Sequence, residues 1–323
     1  MKSKVIIYAM RLGVLASNSY AQKVAVKKAD EKYDRFAYID AIATYERVAA
    51  KGYKSIDMFK KLGNAYYYNA QLEKAVKWYG ELFAMTQDLD PEYYYRYSQS
   101  LKSIREYAKA DEMLALFNEK SGNDSRGKLF KSNKNYLEEI KANSGTYKLN
   151  DAGINSTYSD YGSSFFGNKL VFTSTRDTGN FSKKIDKWTG QYFSNIYTSE
   201  INDTLLGIPK KFPKKINSRF HDATPVFTKD GKTMYFTRNN FNNGKRGKNA
   251  DRVTLLKLYK ATLINGERKN TIELPFNSEN YSVAHPALSP TEKLLYFASD
   301  MPGILGQSDL FKATLNETAN IGR

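Results

Sequence analysis

Two spacings recur along the 323 residues, and each excludes most ways of folding them. In the first part of the chain, small residues fall at Ala41, Ala75 and Ala110, 34 and 35 positions apart. In the second part, Phe172, Phe236 and Phe297 fall 64 and 61 positions apart, each inside a similar stretch. These stretches are YSDYGSSFFGNKLVFTSTRD from Tyr158, DATPVFTKDGKTMYFTRN from Asp222 and VAHPALSPTEKLLYFASD from Val283. A fixed period means that one supersecondary unit is copied, and that each copy buries its apolar face only against a neighbour.

The shorter period has helical spacing. MFKKLGNAYYYNAQLEKAVKWYGEL holds Leu62-Gly63, Tyr66, Ala75, Tyr79 and Leu82. PEYYYRYSQSLKSIREYAKADEMLALF holds Tyr97-Ser98, Leu101, Ala110, Leu114 and Phe117, and YIDAIATYERVAA precedes both. This pattern resembles the tetratricopeptide repeat, most strongly in the second unit. Each unit is expected to be a helix pair. Gly63 and Ala75 let its two helices approach, and Tyr66 and Tyr79 fill the space toward the next pair. The first pair departs from the pattern, with Lys28 and Lys32 at places expected for core. YLEEIKANS, from Tyr136, is expected to close the stack as a lone helix.

The resemblance implies a concave face that binds peptides or neighbouring domains. Lys60, Asn64, Tyr67, Tyr95, Gln99 and Lys102 are expected to line it, where Lys and Asn can grip a carboxylate. A solvated surface and a rigid spacer are the alternatives.

From about Gly145 apolar and polar residues alternate between turn signals, the strand signature. In the second stretch TPVFT reads as an inner strand, Asp230-Gly231 as a hairpin turn and TMYFTR as the returning strand. LKLYKATL gives a third strand and TIELPFN, from Thr271, an outer one. Four strands repeated radially describe a propeller blade. The third unit, with SDLFKATL, resembles the TolB-like, WD-like propeller repeat. Three units are too few to close a ring of roughly 4–8 blades. The chain is therefore expected to be the front part of a longer protein, or to complete its sheet with a partner.

The expected fold class is α+β multidomain: an α-helical tetratricopeptide-type solenoid over 22–143, then a partial β-propeller of about three blades over 144–323. The blades are placed near 154–206, 218–277 and 279–323. The N-terminus, MKSKVIIYAMRLGVLASNSYAQK, has a basic start, an apolar stretch and a small-x-small step at Ser19-Tyr20-Ala21. That is a secretory signal peptide pattern over 1–21. No later stretch is long and apolar enough for a membrane span.

This order of modules resembles Bacteroidetes-type envelope proteins of the OmpA family. The resemblance implies an exported protein of the periplasm, or of the periplasmic face of the outer membrane, with envelope proteins as partners. It also implies links to gliding or type IX secretion. Peptidoglycan binding belongs to a C-terminal domain of that family that these residues lack, so no such site transfers.

Composition narrows the chemistry. With no Cys, disulfides, thiolate metal sites, Cys nucleophiles and acylated-Cys anchors are excluded. The formal charge is +16, and 207–269 carries 16 Lys plus Arg against 4 Asp plus Glu. Solvated loops are the expected reading, contact with an anionic partner the alternative. No nucleic-acid motif accompanies the charge.

No Gly-x-Ser-x-Gly elbow and no phosphate loop occurs in the sequence, so no cofactor, no metal and no catalytic residue is expected. The alternative is an accessory or gating module for a peptidase whose catalytic domain is elsewhere. Asp160, Asp177, Asp230, Asp300 and Asp309 read as hairpin caps rather than Ca²⁺ ligands. The segments before the inner strands are expected at a channel mouth. They offer Asp160, Arg219, His221, Asp222, Ser282 and His285 as a ligand surface. The two His are expected to be structural.

Overall fold

A computed structural model describes residues 20–176, 184–212, 216–264 and 267–315. The expected signal peptide falls almost wholly, and Asp177 entirely, outside the described residues. The chain divides into two compact units. One is Met1–Lys148 with Lys187–Gly190, the other Leu149–Asp186 with Gln191–Arg323.

The first unit is a stack of antiparallel helix pairs of the tetratricopeptide type. Helix α1 covers residues 20–33. It is followed by α2 (Tyr38–Ala49), α3 (Ile56–Tyr68), α4 (Leu72–Met85), α5 (Pro91–Ser103), α6 (Tyr107–Lys120), α7 (Ser125–Ser132) and α8 (Tyr136–Ala142). Local signals start several of them. The Ser55 hydroxyl accepts the Met58 N–H at 3.2 Å, Pro91 occupies the first turn of α5, and Asp124 caps α7.

One core runs through the stack, including Ala29, Tyr45, Leu62, Tyr79, Tyr97, Leu101, Leu114 and Phe117. The Tyr79 ring lies against Gly63: a Cβ there would stand 2.6 Å from its edge. The Tyr79 hydroxyl donates to Asn64 Oδ1 at 2.9 Å, which holds the ring in place.

Two expectations change here. Lys28 and Lys32 are exposed, because α1 is rotated so that Ala29 is buried and Val26 and Tyr33 pack on the core. The stack also continues into α7, which has no strong apolar stripe and rests on α6 through Gly127 against Asn118. The lone helix from Tyr136 exists as α8; it has no fully buried residue and docks through the Tyr136 hydroxyl, which donates to Asp111 of α6 at 3.1 Å.

The second unit is three antiparallel sheets. The first is built on β1 (Asp160–Phe165), β2 (Lys169–Ser174) and β3 (Asn195–Asn202), with short β4 (Leu205–Leu206) and β5 (Lys210–Lys211) beside β3. The second orders β11 (Glu267–Glu273), β10 (Leu256–Ile264), β7 (Thr233–Asn239) and β6 (Asp222–Phe227). A small hairpin of β8 (Phe241–Asn242) and β9 (Lys245–Arg246) leaves it. The third orders β12 (Val283–Leu288), β13 (Leu294–Ser299) and β14 (Asp309–Thr314).

The long period is structural at every level. Phe172, Phe236 and Phe297 stand on the middle strands β2, β7 and β13 and pair across with Tyr197, Tyr259 and Phe311. The paired rings stack with centroids 6.1, 5.9 and 5.9 Å apart. Each inner strand carries a bulge, between Tyr161 and Ser164, Ala223 and Val226, and Ala284 and Ala287. At the bulge Gly162, Thr224 and His285 take positive φ of 61°, 46° and 58°.

The bulges tie sheets together. The Thr224 N–H donates to Thr173 Oγ1, and the His285 N–H to Thr237 Oγ1, each at 2.9 Å. A second tie runs backwards. Asn217 Oδ1 accepts the Ile196 N–H at 2.7 Å, and its Nδ2 donates to the Ile196 carbonyl at 3.1 Å. Asn277 does the same to Leu258, at 2.9 and 2.7 Å.

The outer strand of the second sheet differs from expectation. It is Glu267–Glu273, so only the start of TIELPFN pairs with β10. Leu274 enters the core and Asn277 serves as the backbone clamp. Among the described residues, no helix is long and apolar enough to cross a membrane.

Two stability outcomes follow. In Gly63→Ala the helix-propensity gain of up to ~1 kcal/mol is outweighed by the clash with a fully buried, tethered ring, for a net loss of roughly 1–2 kcal/mol. Asn277→Ala leaves the Leu258 N–H without its acceptor and should cost about 1–3 kcal/mol. Urea denaturation of each variant measures both; parent-like midpoints would contradict them.

Candidate functional site

The first helices of successive pairs stand side by side, and their facing side chains form one connected row. At its centre is Arg96 on α5. Its Nη1 donates to Asn64 Oδ1 at 2.9 Å and to the Tyr68 hydroxyl at 2.7 Å, and its Nε donates to Glu92 at 3.2 Å. The guanidinium lies over the rings of Tyr68 and Tyr67, 5.1 and 5.8 Å from their centroids. Glu92 also accepts from Arg126 of α7 at 2.9 Å, and Arg126 covers Tyr95 at 4.2 Å. Toward the other end, Lys61 of α3 reaches Asp30 of α1 at 2.9 Å.

Phenols dominate the row. Burial, with Tyr68 nearby, pushes the Tyr38 hydroxyl up to about 12, although Arg96 opposes the shift. Burial first, and then Tyr68, likewise raises Tyr33. These phenols therefore stay protonated at neutral pH, as donors and acceptors beside a permanent guanidinium charge.

The six groove residues read from the sequence sort into two groups. Lys60, Tyr67, Tyr95, Gln99 and Lys102 are half-buried on α3 and α5. The Lys60 ammonium lies over Tyr93 at 5.3 Å, and Lys102 over Tyr136 at 4.0 Å. Asn64 is a correction. It is buried, and its Oδ1 already accepts from Tyr79 and Arg96, so it holds the row together rather than facing a ligand. Arg96 and Arg126 were missed. The signal available was a cation one repeat from an acid: Arg126 follows Glu92 by 34 positions.

The residues expected at a channel mouth are structural in part. Asp222 is a second correction: it is wholly buried and pairs with Arg238 at 2.5 Å. Burial pushes its carboxyl up, and Arg238 and the Ser218 amide oppose that. Arg238 also donates to the Ile216 carbonyl and covers Phe236 at 4.9 Å. The first blade repeats the motif. Arg176 donates to Asp160 at 2.7 Å and to the Ile154 carbonyl at 2.9 Å, and covers Phe172 at 5.3 Å. Burial raises the Asp160 carboxyl, but Arg176, Ser174 and Ser156 overcome it and hold it at about 2.

Arg219 is exposed and lies over Phe220 and Phe241. Ser282 Oγ accepts the Leu256 N–H at 3.3 Å. His285 occupies its bulge, a place where His tolerates positive φ better than most residues.

His221 sits in an arrangement that resembles a catalytic triad on paper. Its Nδ1 is 3.0 Å from Ser194 Oγ, and its Nε2 is 3.7 Å from Asp186 Oδ1. The chemistry does not fit. Ser194 is wholly buried, its backbone N–H already donates to Nδ1 at 3.0 Å, and its hydroxyl also reaches the Asp222 carbonyl at 3.3 Å. A nucleophile needs an approach path and a base with a free lone pair; this serine has neither.

Of the acids read as hairpin caps, Asp230 bonds within its own turn, Asp160 is spent on Arg176, and Asp300 and Asp309 hold backbone N–H groups outside the hairpin turns. Asp230 accepts from Thr228 and from the Lys232 N–H, Asp300 from the Ser282 N–H and Asp309 from the Leu305 N–H. Among the described residues no group of three metal-ligating side chains converges. The basic run of 207–269 is not simply solvated. Arg238, Lys257 and Lys260 are buried, and Lys257 reaches Glu279 at 2.6 Å and Glu273 at 3.2 Å.

No protein-family profile and no curated protein matches the chain. Among solved structures it is similar to the Sgt2 TPR domain from Aspergillus fumigatus, at 19% identity over 41% of this chain and 87% of that one, with a TM-score of 0.30. It is also similar to a putative TolB from Agrobacterium tumefaciens, at 13% identity over 51% of this chain and 48% of that one, with a TM-score of 0.30. A puromycin-hydrolyzing peptidase of Mycobacterium tuberculosis aligns at 13% identity over 49% of this chain and 22% of its own, with a TM-score of 0.30. The chain thus spans less than half the length of the latter two.

The Asp160–Arg176 pair gives a pH signature. A carboxyl whose folded value lies below its unfolded value stabilises above the unfolded value and loses that contribution as pH falls through the folded one. Asp160→Asn should therefore cost ~2 kcal/mol above about pH 4, with the gap to the parent closing toward pH 2. Denaturation midpoints across that window measure it; a gap that is the same at every pH would refute the ionised pair.

Proposed function

We propose that this chain is a non-enzymatic scaffold of the bacterial cell envelope that holds partner proteins through the inner row of its helical unit. The observation that carries the reading is the Arg96-centred row across α3, α5 and α7. There, half-buried tyrosines and two ammonium groups, on Lys60 and Lys102, share one surface. Such a surface suits an extended peptide with a carboxylate and aromatic side chains. The flat rings order little on binding, and the ammonium groups supply the charge.

The setting rests on the sequence. A signal-peptide pattern favours export, and the order of modules resembles OmpA family proteins of Bacteroidetes-type bacteria. In that setting the chain works in the periplasm or at the inner face of the outer membrane, with gliding or type IX secretion components as partners. Peptidoglycan attachment is left to a domain outside these residues. The Ser194 geometry supports the non-enzymatic reading against a peptidase role.

The full chain, immobilised, is exposed to solubilised envelope proteins beside a Lys60→Glu/Lys102→Glu variant. The parent should retain a defined set intact, and the variant should retain at least tenfold less of it. Equal retention would move the interaction off the helical row. Cleavage of the retained proteins by the purified chain would end the non-enzymatic reading.

A further inference from the structure

Among the described residues six guanidiniums lie over aromatic rings: those of Arg96, Arg126, Arg176, Arg219, Arg238 and Arg246. Four of them also hold a carboxylate. Arg96 and Arg126 reach Glu92, Arg176 reaches Asp160, and Arg238 reaches Asp222. Arg219 and Arg246 have the ring but no acid among the described residues.

These two stand together where β6 begins and β7 ends. The Arg219 guanidinium lies 5.6 Å from the centre of the Phe220 ring and 5.0 Å from that of Phe241, and the Arg246 guanidinium lies 5.0 Å from Phe220. The rings brace one another. Phe220 meets Phe241 edge-on at 5.1 Å and Phe193 at 5.6 Å. Arg246 Nε donates to Thr254 Oγ1 at 2.6 Å, which fixes the plane of its fork.

The hairpin that carries Arg246 is itself held. Strands β8 and β9 pair Phe241 with Arg246, and Asn243 and Gly244 turn between them with φ of 49° and 81°. The Asn240 N–H donates to the Leu255 carbonyl at 2.8 Å, and the Asn240 carbonyl accepts the Gly247 N–H at 2.9 Å. A Cβ at Gly247 would collide with the Asn240 amide, so the base of the hairpin is tightly packed. Around the forks the charge is mostly of one sign. Lys245, Lys248 and Arg252 are exposed, and the one acid between 241 and 254 is Asp251.

We propose that Arg219 and Arg246 form a second docking surface, for an acidic segment of a partner protein in which two or more carboxylates lie a few residues apart. Those carboxylates would take the place that Glu92, Asp160 and Asp222 fill inside the chain. A stacked guanidinium offers a fork in a fixed plane, which matches a carboxylate through two bonds. Two forks around one ring select closely spaced acids over a single charge. Other polyanions fit less well. Bases of single-stranded nucleic acid stack on open ring faces, and here the rings carry guanidiniums. A membrane surface takes up inserted apolar side chains, and the exposed tip from Asn243 to Arg246 has none. This surface lies in the second unit and does not depend on the helical row.

Fluorescence anisotropy of a labelled, C-terminally amidated hexaglutamate peptide on the full chain tests it. Arg219→Gln/Arg246→Gln should bind the peptide about tenfold more weakly than the parent. Arg219→Lys/Arg246→Lys keeps the charge and loses the fork, and should bind roughly threefold more weakly. Lys60→Gln/Lys102→Gln makes the same charge change on the helical row and should bind as the parent does. Parent-like affinity in either arginine variant, or loss of binding in the row variant, would overturn the proposal. Tighter binding of phosphatidylglycerol vesicles or of oligodeoxythymidylate than of the peptide would also overturn it, in favour of a membrane or a nucleic acid.

Discussion

The Asn217 and Asn277 amides close both backbone groups of a strand in the blade behind them. Much of the second unit depends on this. Pairing with β5 and β11 stops at Tyr197 and Tyr259, so the starts of β3 and β10 would otherwise show bare backbone groups to the segment that leads into the next blade. A side-chain amide supplies one donor and one acceptor at the right separation, so a single residue substitutes for a strand partner. The bulge N–H groups of Thr224 and His285 add the opposite tie, from the inner strand to a hydroxyl of the preceding sheet. Each blade is thus held at two depths by its neighbour. In the third sheet Tyr296 and Leu310, at the positions that are buried in the first two, are exposed.

The helical unit uses the same logic with different chemistry. Its pairs are joined by buried tyrosines, and the polar end of each must find a partner. Tyr79 finds Asn64, Tyr45 finds Asp30 and Tyr66 finds Glu46. Polar residues that a sequence pattern assigns to a ligand surface are partly consumed by this requirement. Asn64 is the clearest case, since it satisfies a buried phenol and a guanidinium at once. Outside these buried contacts the row keeps Lys60 and Lys102 half-buried, their ammonium groups over Tyr93 and Tyr136.

Residue type at a repeating position was the legible part. Phe172, Phe236 and Phe297 could be aligned by eye, and they occupy equivalent strands. Asp160 and Asp222 could be aligned too, but not their use. Their partners Arg176 and Arg238 sit 16 positions on, across a hairpin, and pairing removes them from any ligand surface. The outer strand at Glu267–Glu273 was misplaced because Asn277 looks like the end of a strand and serves as a clamp. Helix α7 was not foreseen because its few apolar residues lack a stripe; its docking comes from Gly127 and from Arg126 reaching Glu92.

By itself the sequence determined the two periods, the order of helices before sheets, the three antiparallel strands that every sheet shares and the absence of thiol chemistry. Those follow from local spacing and residue type, which need no knowledge of distant contacts. The tertiary structure alone decided which polar residues are spent internally, which strand each Asn holds and which apolar positions are left uncovered. Those depend on neighbours tens of residues away, and burial sets the cost of leaving any of them unpaired.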